Sequence, residues 1–207
     1  MVYIIFISVA VPLIMLLFMM EKRSRSIVGF VIMGIVCAVV SYEINSLIKE
    51  LFRINEFDFR IFVSPITEEI IKFLPILLFL FPKFRKKENL VEISMALGIG
   101  FAIFENIYLL VWSREYVNII WSLIRGFSTG LMHGMTTSTV SFIMKFIKKR
   151  KFFYTGMLGL LCISITYHGI YNMFIESRYN YIGIITPILT YVFIWYMLKK
   201  YKNYSFK

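Results

Sequence analysis

Two acids and a base stand together as Glu68-Glu69-x-x-Lys72 inside an otherwise apolar run, and Glu105, His133 and His168-x-x-x-Asn172 follow in later apolar runs. Both histidines of the chain belong to this set. Carboxylates and imidazoles held away from bulk water can activate a water molecule for hydrolysis or relay protons. At helical spacing Lys72 reaches either carboxylate, Glu68 four residues before it or Glu69 three before it. One ammonium does not neutralise two buried carboxylates, and an unequal pair is what acid–base chemistry needs. The competing reading makes both glutamates helix caps at an interface. His168 and Asn172 share a helix face and can orient a water or stabilise an oxyanion. They serve equally well as hydrogen-bonding glue between helices, as His133 does, while Glu105 has a salt bridge to Lys72 or Arg125 as its alternative.

Other hydrolytic schemes fit less well. An aspartyl site needs two intramembrane aspartates, and the one Asp in the chain is Asp58, between runs. No His-Glu-x-x-His pattern is present. Gly126-Phe127-Ser128-Thr129-Gly130 matches G-x-S-x-G, but that elbow requires a strand-to-helix turn and here it lies in a helical run. A rhomboid-like dyad of Ser128 with His168 is the remaining serine option; close helix packing explains the glycines more simply. A glutamate–histidine site is left.

The elements that must carry these residues are membrane spans. Of 207 residues 59% are apolar and 17% charged, with a mean hydropathy of +0.75; a soluble domain has about 45–50% and about 25%. The apolar residues come in runs at 2–20, 27–48, 61–82, 91–112, 117–147, 152–175 and 181–200, most of bilayer-spanning length. This excludes a soluble globular enzyme, a disordered tail and a nucleic-acid partner, and the net charge of +11 marks cytoplasmic loops instead. Cys37 and Cys162 both fall within runs and imply no disulfide framework. The first run has no basic stretch before it and no cleavage site after it, so it reads as a span and not a signal peptide.

Orientation follows from the basic residues between runs. Lys22, Arg23 and Arg25; Lys83, Arg85, Lys86 and Lys87; Lys145, Lys148, Lys149, Arg150 and Lys151; and Lys199, Lys200, Lys202 and Lys207 fall on one side. Lys49, Arg53, Arg60, Arg114 and Arg178 fall on the other. The expected fold is thus an all-α polytopic transmembrane bundle of about seven spans. Its N-terminus lies outside and its C-terminus in the cytoplasm, and residues 1–207 form a single integral membrane domain. Segment 43–60 reads as an amphipathic or looped outer connection. Ser64 is expected as the N-cap of the third span with Pro65 at its first position, and Pro75 is expected to free a carbonyl or kink it. With this orientation Glu68, Glu69, Glu105, His168 and Asn172 share the outer half and His133 approaches the midplane.

In order and placement, Glu68-Glu69-x-x-Lys72, Phe101-x-x-x-Glu105-Asn106, Met132-His133 and His168-x-x-x-Asn172 resemble the motif series of PrsW-type intramembrane proteases. These are distant relatives of the CAAX-protease and bacteriocin-processing glutamic peptidases. The motif core is 64–172. The resemblance implies a multi-pass protease of the bacterial plasma membrane that makes the first, extracytoplasmic cut in an anti-sigma factor, so its partner is a single-pass membrane protein. It also implies that Glu68, beside Glu69 and Lys72, is the base that activates water, with His168 and Asn172 stabilising the oxyanion. The CAAX-type group has histidine where this chain has Glu105, which leaves the second water-orienting role between Glu105 and His133. Members have been called metalloproteases, and zinc would take His133, His168 and Glu105; a metal-free glutamic mechanism without cofactor is the expectation, because paired buried carboxylates suffice. From other classes, a proton-coupled transporter or channel and a non-catalytic bacteriocin-immunity-type membrane protein stand as alternatives.

Overall fold

The computed structural model describes residues 2–17, 20–80, 90–112, 119–144 and 150–204. Among these residues there is no strand. Seven long helices stand where the seven apolar runs do: α1 (Val2–Leu17), α2 (Lys22–Phe52), α4 (Ser64–Leu80), α5 (Leu90–Trp112), α6 (Ile119–Met144), α7 (Arg150–Ile175) and α8 (Asn180–Tyr204). A short α3 (Glu56–Asp58) and a π-helical turn (Phe59–Val63) lead into α4. Among the described residues three stretches, Ser24–Phe52, Leu90–Val111 and Phe153–Ile175, are long and apolar enough to cross a membrane. Of the others, α1 and α4 have 16 and 17 residues. Nine of the twenty-one basic residues that set the expected orientation, Lys83, Arg85, Lys86, Lys87, Arg114, Lys145, Lys148, Lys149 and Lys207, lie outside the described residues.

Two local expectations are corrected. The looped alternative for the 43–60 connection gives way to helix over most of its length: α2 runs unbroken to Phe52, because no Gly or Pro interrupts Glu43–Phe52. Its 31 residues extend for roughly 46 Å at 1.5 Å per residue, longer than a hydrocarbon core of about 30 Å. The break comes at Arg53, in the left-handed conformation at φ 51°. Asn55 then caps α3 by accepting from the Asp58 N–H at 2.9 Å. Nor is Ser64 an N-cap with extended backbone. The π turn enters α4 without a break, so Ser64 is helical at φ −56°, ψ −45° and its N–H bonds back to the Phe59 carbonyl. Its hydroxyl is thereby released from capping.

Helices α2, α5 and α6 pack most closely, and small residues make this possible. A Cβ on Gly34 would strike the Leu97 carbonyl, and one on Gly100 the Val31 carbonyl, which fixes α2 against α5. One on Gly98 would strike the carbonyl of His133 and so fixes α5 against α6 at the site itself. Valine at Gly98 must push the backbone of His133 away, and core overpacking costs about 1–3 kcal/mol. Gly98→Val is expected to lower the thermal midpoint and to abolish activity out of proportion to that loss. Specific activity per folded protein is the check.

Prolines set a second packing rule. Proline lacks the N–H that would bond the carbonyl four residues earlier. Inside α4, Pro75 leaves the Ile71 carbonyl, and Cys37 of α2 donates its thiol to it at 3.7 Å. Inside α8, Pro187 leaves the Gly183 carbonyl, and Ser128 of α6 donates to it at 3.3 Å. In an apolar surrounding an unpaired carbonyl is unfavourable by several kcal/mol, so each donor pins one helix to another.

Candidate active site

Two apolar clusters, one around Phe73, Leu97 and Met144 and the other around Ile35, Phe101 and Phe104, flank a polar layer that runs through the bundle. Helix α4 brings Glu68, Glu69 and Lys72 into that layer, α5 brings Glu105, α6 His133, and α7 His168. Lys72 is the pivot. At 1% exposure it lies 2.6 Å from Glu69 Oε1, 2.7 Å from His133 Nδ1 and 4.9 Å over the Phe101 ring. His133 is fully buried, and its Nε2 lies 2.7 Å from Glu105 Oε2. On the other side Glu69 Oε1 meets His168 Nδ1 at 2.9 Å, and His168 Nε2 lies 3.7 Å from Glu68 Oε2. The imidazole centroids are 4.9 Å apart, edge to face. A continuous chain therefore joins Glu105, His133, Lys72, Glu69, His168 and Glu68.

Hydrogen-bond partners assign the tautomers of the neutral imidazoles. An ammonium has no acceptor, so His133 Nδ1 accepts from Lys72 and its Nε2–H donates to Glu105. Against the Glu69 carboxylate, His168 Nδ1 carries a proton, and Nε2 faces Glu68 Oε2 at 3.7 Å.

Glu68 itself is held by one oxygen. Ser64 donates to Oε1 from one turn earlier, and Ser64 in turn accepts from Asn45 Nδ2 of α2 at 3.2 Å. Thr67 donates to Asn45 Oδ1 and completes the network. Glu68 Oε2 is buried and has no hydrogen-bond partner among the described residues. A cavity of about 360 Å³ opens beside it, lined also by Glu105, Arg125, Tyr108 and Asn172. Glu69, Lys72, His133 and His168, each at most 3% exposed, stand behind the two cavity carboxylates. Lys49, Glu56, Arg60 and Glu176 line the same cavity. They form a string of ion pairs, Lys49 with Glu56 and Arg60 with Glu176 at 2.7 Å. The Lys49 ammonium beside Glu56 holds its carboxyl below the usual carboxylate range.

Five of the six expected catalytic residues, Glu68, Glu69, Glu105, His133 and His168, are thus drawn into one chain with Lys72. Asn172 lines the cavity, but its amide donates to the backbone carbonyl of Arg60 at 2.9 Å. Glu105 pairs with Arg125 at 3.1 Å and with His133, not with Lys72. The expected metal set also changes. The group whose donor atoms lie within 4.8 Å of one another is Glu68, His133 and His168, with Glu68 in the place expected for Glu105. Sequence reasoning does not reach Asn45, Ser64 and Thr67 as supports of Glu68, and it reaches Arg125 as a partner for Glu105.

Ser128 is committed elsewhere, to Tyr171 Oη at 3.0 Å and to the Gly183 carbonyl, within an unbroken α6. No elbow forms and the hydroxyl serves α8. Ser128→Ala is expected to keep specific activity within about threefold of wild type. It should lose only the roughly 1–3 kcal/mol of stability that an orphaned carbonyl accounts for, read from thermal melts in detergent.

The donor set suits a divalent metal in part: donor atoms of Glu68, His133 and His168 lie within 4.8 Å of one another, and Glu69 meets Nδ1 of His168 from behind, the second-sphere pattern common at metal sites. Against this, both ring nitrogens of His133 are already engaged, one by a cation.

Comparison with curated proteins and with solved structures finds no match. Among protein families, the one described as PrsW family intramembrane metalloprotease matches over residues 22–198. That span takes in all four motifs and every helix that contributes to the chain of charged and imidazole groups. The chain belongs to the PrsW family of intramembrane proteases.

Proposed function

We propose that the protein is an endopeptidase that hydrolyses a peptide bond of a single-pass membrane protein near the extracytoplasmic face. Its substrate class is the anti-sigma factors, and Glu68 is the water-activating base. In this reading the chain crosses the plasma membrane seven times with its N-terminus outside, the orientation its loop charges favour. The observation that carries the mechanism is the buried Oε2 of Glu68, without a hydrogen-bond partner among the described residues, facing His168 Nε2 at 3.7 Å beside a cavity.

A water between these two acceptors gives one proton toward Glu68 Oε2 while His168 holds its other hydrogen, so its oxygen lone pair points at the scissile carbonyl. Attack forms the C–O bond. The negative charge on the former carbonyl oxygen then needs a donor, and we assign that part to Arg125, which lines the cavity beside Glu105. Collapse of the intermediate breaks the C–N bond, and the proton held by Glu68 passes to the leaving amine. Glu69 and Lys72 act behind the cavity: Glu69 fixes the His168 tautomer, and Lys72 keeps Glu69 charged and His133 turned toward Glu105.

A second reading has specific support in the grouping of Glu68, His133 and His168, which would hold a divalent metal once His133 exchanged a present partner. Such an ion would supply a Lewis acid at the water-binding position. Co-expression with doubly tagged single-pass proteins, anti-sigma factors among them, tests the function: wild type cuts at least one near its outer membrane boundary, and Glu68→Gln cuts none. Equal cleavage by Glu68→Gln sinks the mechanism. Metal content of the purified active protein separates the two readings, one divalent ion per chain favouring the second.

A further inference from the structure

Asn172 lies on the cavity, where analogy with the wider group makes it an oxyanion donor, yet its amide is turned to the backbone. The reason is local. In the π turn the Ser64 N–H bonds the Phe59 carbonyl, five residues back. Continuing that pattern, the Arg60 carbonyl would receive the N–H of residue 65, and residue 65 is proline. The Arg60 carbonyl is therefore left without a chain donor, and Asn172 Nδ2 takes that place at 2.9 Å. Pro75 with Cys37 and Pro187 with Ser128 show the same device at two other helix contacts.

Helix α7 is shaped for this contact. Three residues before Asn172, Gly169 lies so close to the π turn that an added Cβ would come within 2.8 Å of the Ile61 carbonyl. Four residues after it, Glu176 holds the Arg60 guanidinium at 2.7 Å. Gly169, Asn172 and Glu176 form one face, and all three engage residues 60–61. The held turn ends at Ser64, whose hydroxyl grips Glu68 Oε1 and leaves Oε2 bare. Isolated π turns occur often at functional sites, and this one is out of register with the α4 that follows it.

We propose that Asn172 is a positioning residue: it supplies the hydrogen bond that Pro65 denies to the Arg60 carbonyl and thereby holds the π turn that aims Ser64 at Glu68. The proposal rests on the peptidase reading of Glu68. The scissile oxyanion receives nothing from it.

Proline makes the proposal testable by second-site rescue. Alanine at position 65 restores an N–H to the turn, so it should make Asn172 dispensable. Wild type, Asn172→Ala, Pro65→Ala and the double variant are purified in detergent. They are assayed on a doubly tagged single-pass membrane protein that wild type cuts and Glu68→Gln does not, and each is melted. Asn172→Ala is expected to lower kcat by about tenfold or more per folded protein, with KM within about twofold and a lower Tm. Pro65→Ala is expected to stay within about threefold of wild type, and the double variant to recover both kcat and Tm to that level. A double variant as slow as Asn172→Ala overturns the proposal, as does a collapse of kcat in Asn172→Ala at unchanged Tm, the signature of a group that touches the reacting atoms. If Asn172→Ala does not accumulate in the membrane, accumulation of the double variant is the supporting result and its failure the overturning one. Should wild type cut no tagged protein, the peptidase reading falls, and recovery of Tm in the double variant still decides the clamp.

Discussion

Glu68→Gln is expected to abolish cleavage, with a loss in the range of about 10²–10⁴-fold that removal of a general base brings, while the protein inserts and accumulates as wild type does. Glutamine keeps the volume of the side chain, and its Oε1 can still accept from Ser64, so the hold on one end of the group survives. What disappears is the proton acceptor at the other end, where Oε2 faces His168 Nε2. The amide there either presents an N–H to the imidazole lone pair, which forms a hydrogen bond and closes the water position, or presents a neutral carbonyl of little basicity. Neither can take a proton from water. Because a buried, hydrogen-bonded glutamate is exchanged for a neutral isostere, stability should hold or rise. A melt at or above that of wild type, together with lost cleavage, separates chemistry from folding.

Lys72→Met carries the second large effect, and it falls on the fold. Removing the ammonium leaves the Glu69 carboxylate 3% exposed with His168 as its remaining donor, and it leaves His133 Nδ1 without its partner. Breaking a buried pair from one side is destabilising by about 3–5 kcal/mol, a large share of the stability of a marginal bundle. The variant is expected to accumulate poorly and to melt far below wild type. Adding Glu69→Gln removes the uncompensated charge, so the double variant should regain most of the lost stability, with a coupling energy within about 0.5–3 kcal/mol. It should not regain activity, because a glutamine amide no longer dictates which nitrogen of His168 carries the proton. Recovery of melt without recovery of cleavage is the outcome that checks this division. Independent, additive losses would show that Lys72 and Glu69 do not act as a pair.

Much of this was open to inspection in the chain itself. Seven helices could be placed because apolar runs contrast sharply with the residues between them, and the boundaries moved by only a few residues where caps or Gly and Pro are sparse. The ionisable residues stood out for the same reason: Glu68, Glu69, Lys72, Glu105, His133 and His168 are conspicuous in apolar surroundings. Their partners were less legible. Spacing along α4 allowed Lys72 either glutamate, and only the facing of α6 and α7 turns it to Glu69 and His133. Ser64-Pro65 has the composition of a helix start, yet a π turn before it makes Ser64 helical and converts a cap into a clamp on Glu68. Asn45 was hidden in a stretch read as connection, since neither its helix nor the face it turns to α4 shows in its neighbours. Hydrogen bonds that answer prolines cross from one helix to another and have no sequence spacing at all.

The burial of Glu68 has a consequence for what can be cut. Its Oε2 lies inside the bundle, whereas the backbone carbonyls of a helical span are bonded within the span and sheathed by its own side chains. A membrane-spanning segment that reaches Glu68 is therefore expected to arrive unravelled, with its own backbone hydrogen bonds surrendered. The propensity of the segment to come apart then ranks potential targets alongside any side-chain preference. A glycine near the point of cleavage lowers helix stability by about 1 kcal/mol and a proline by about 3. Such breakers at the outer end of a span, more than a shared motif, are what the targets of this protein should have in common.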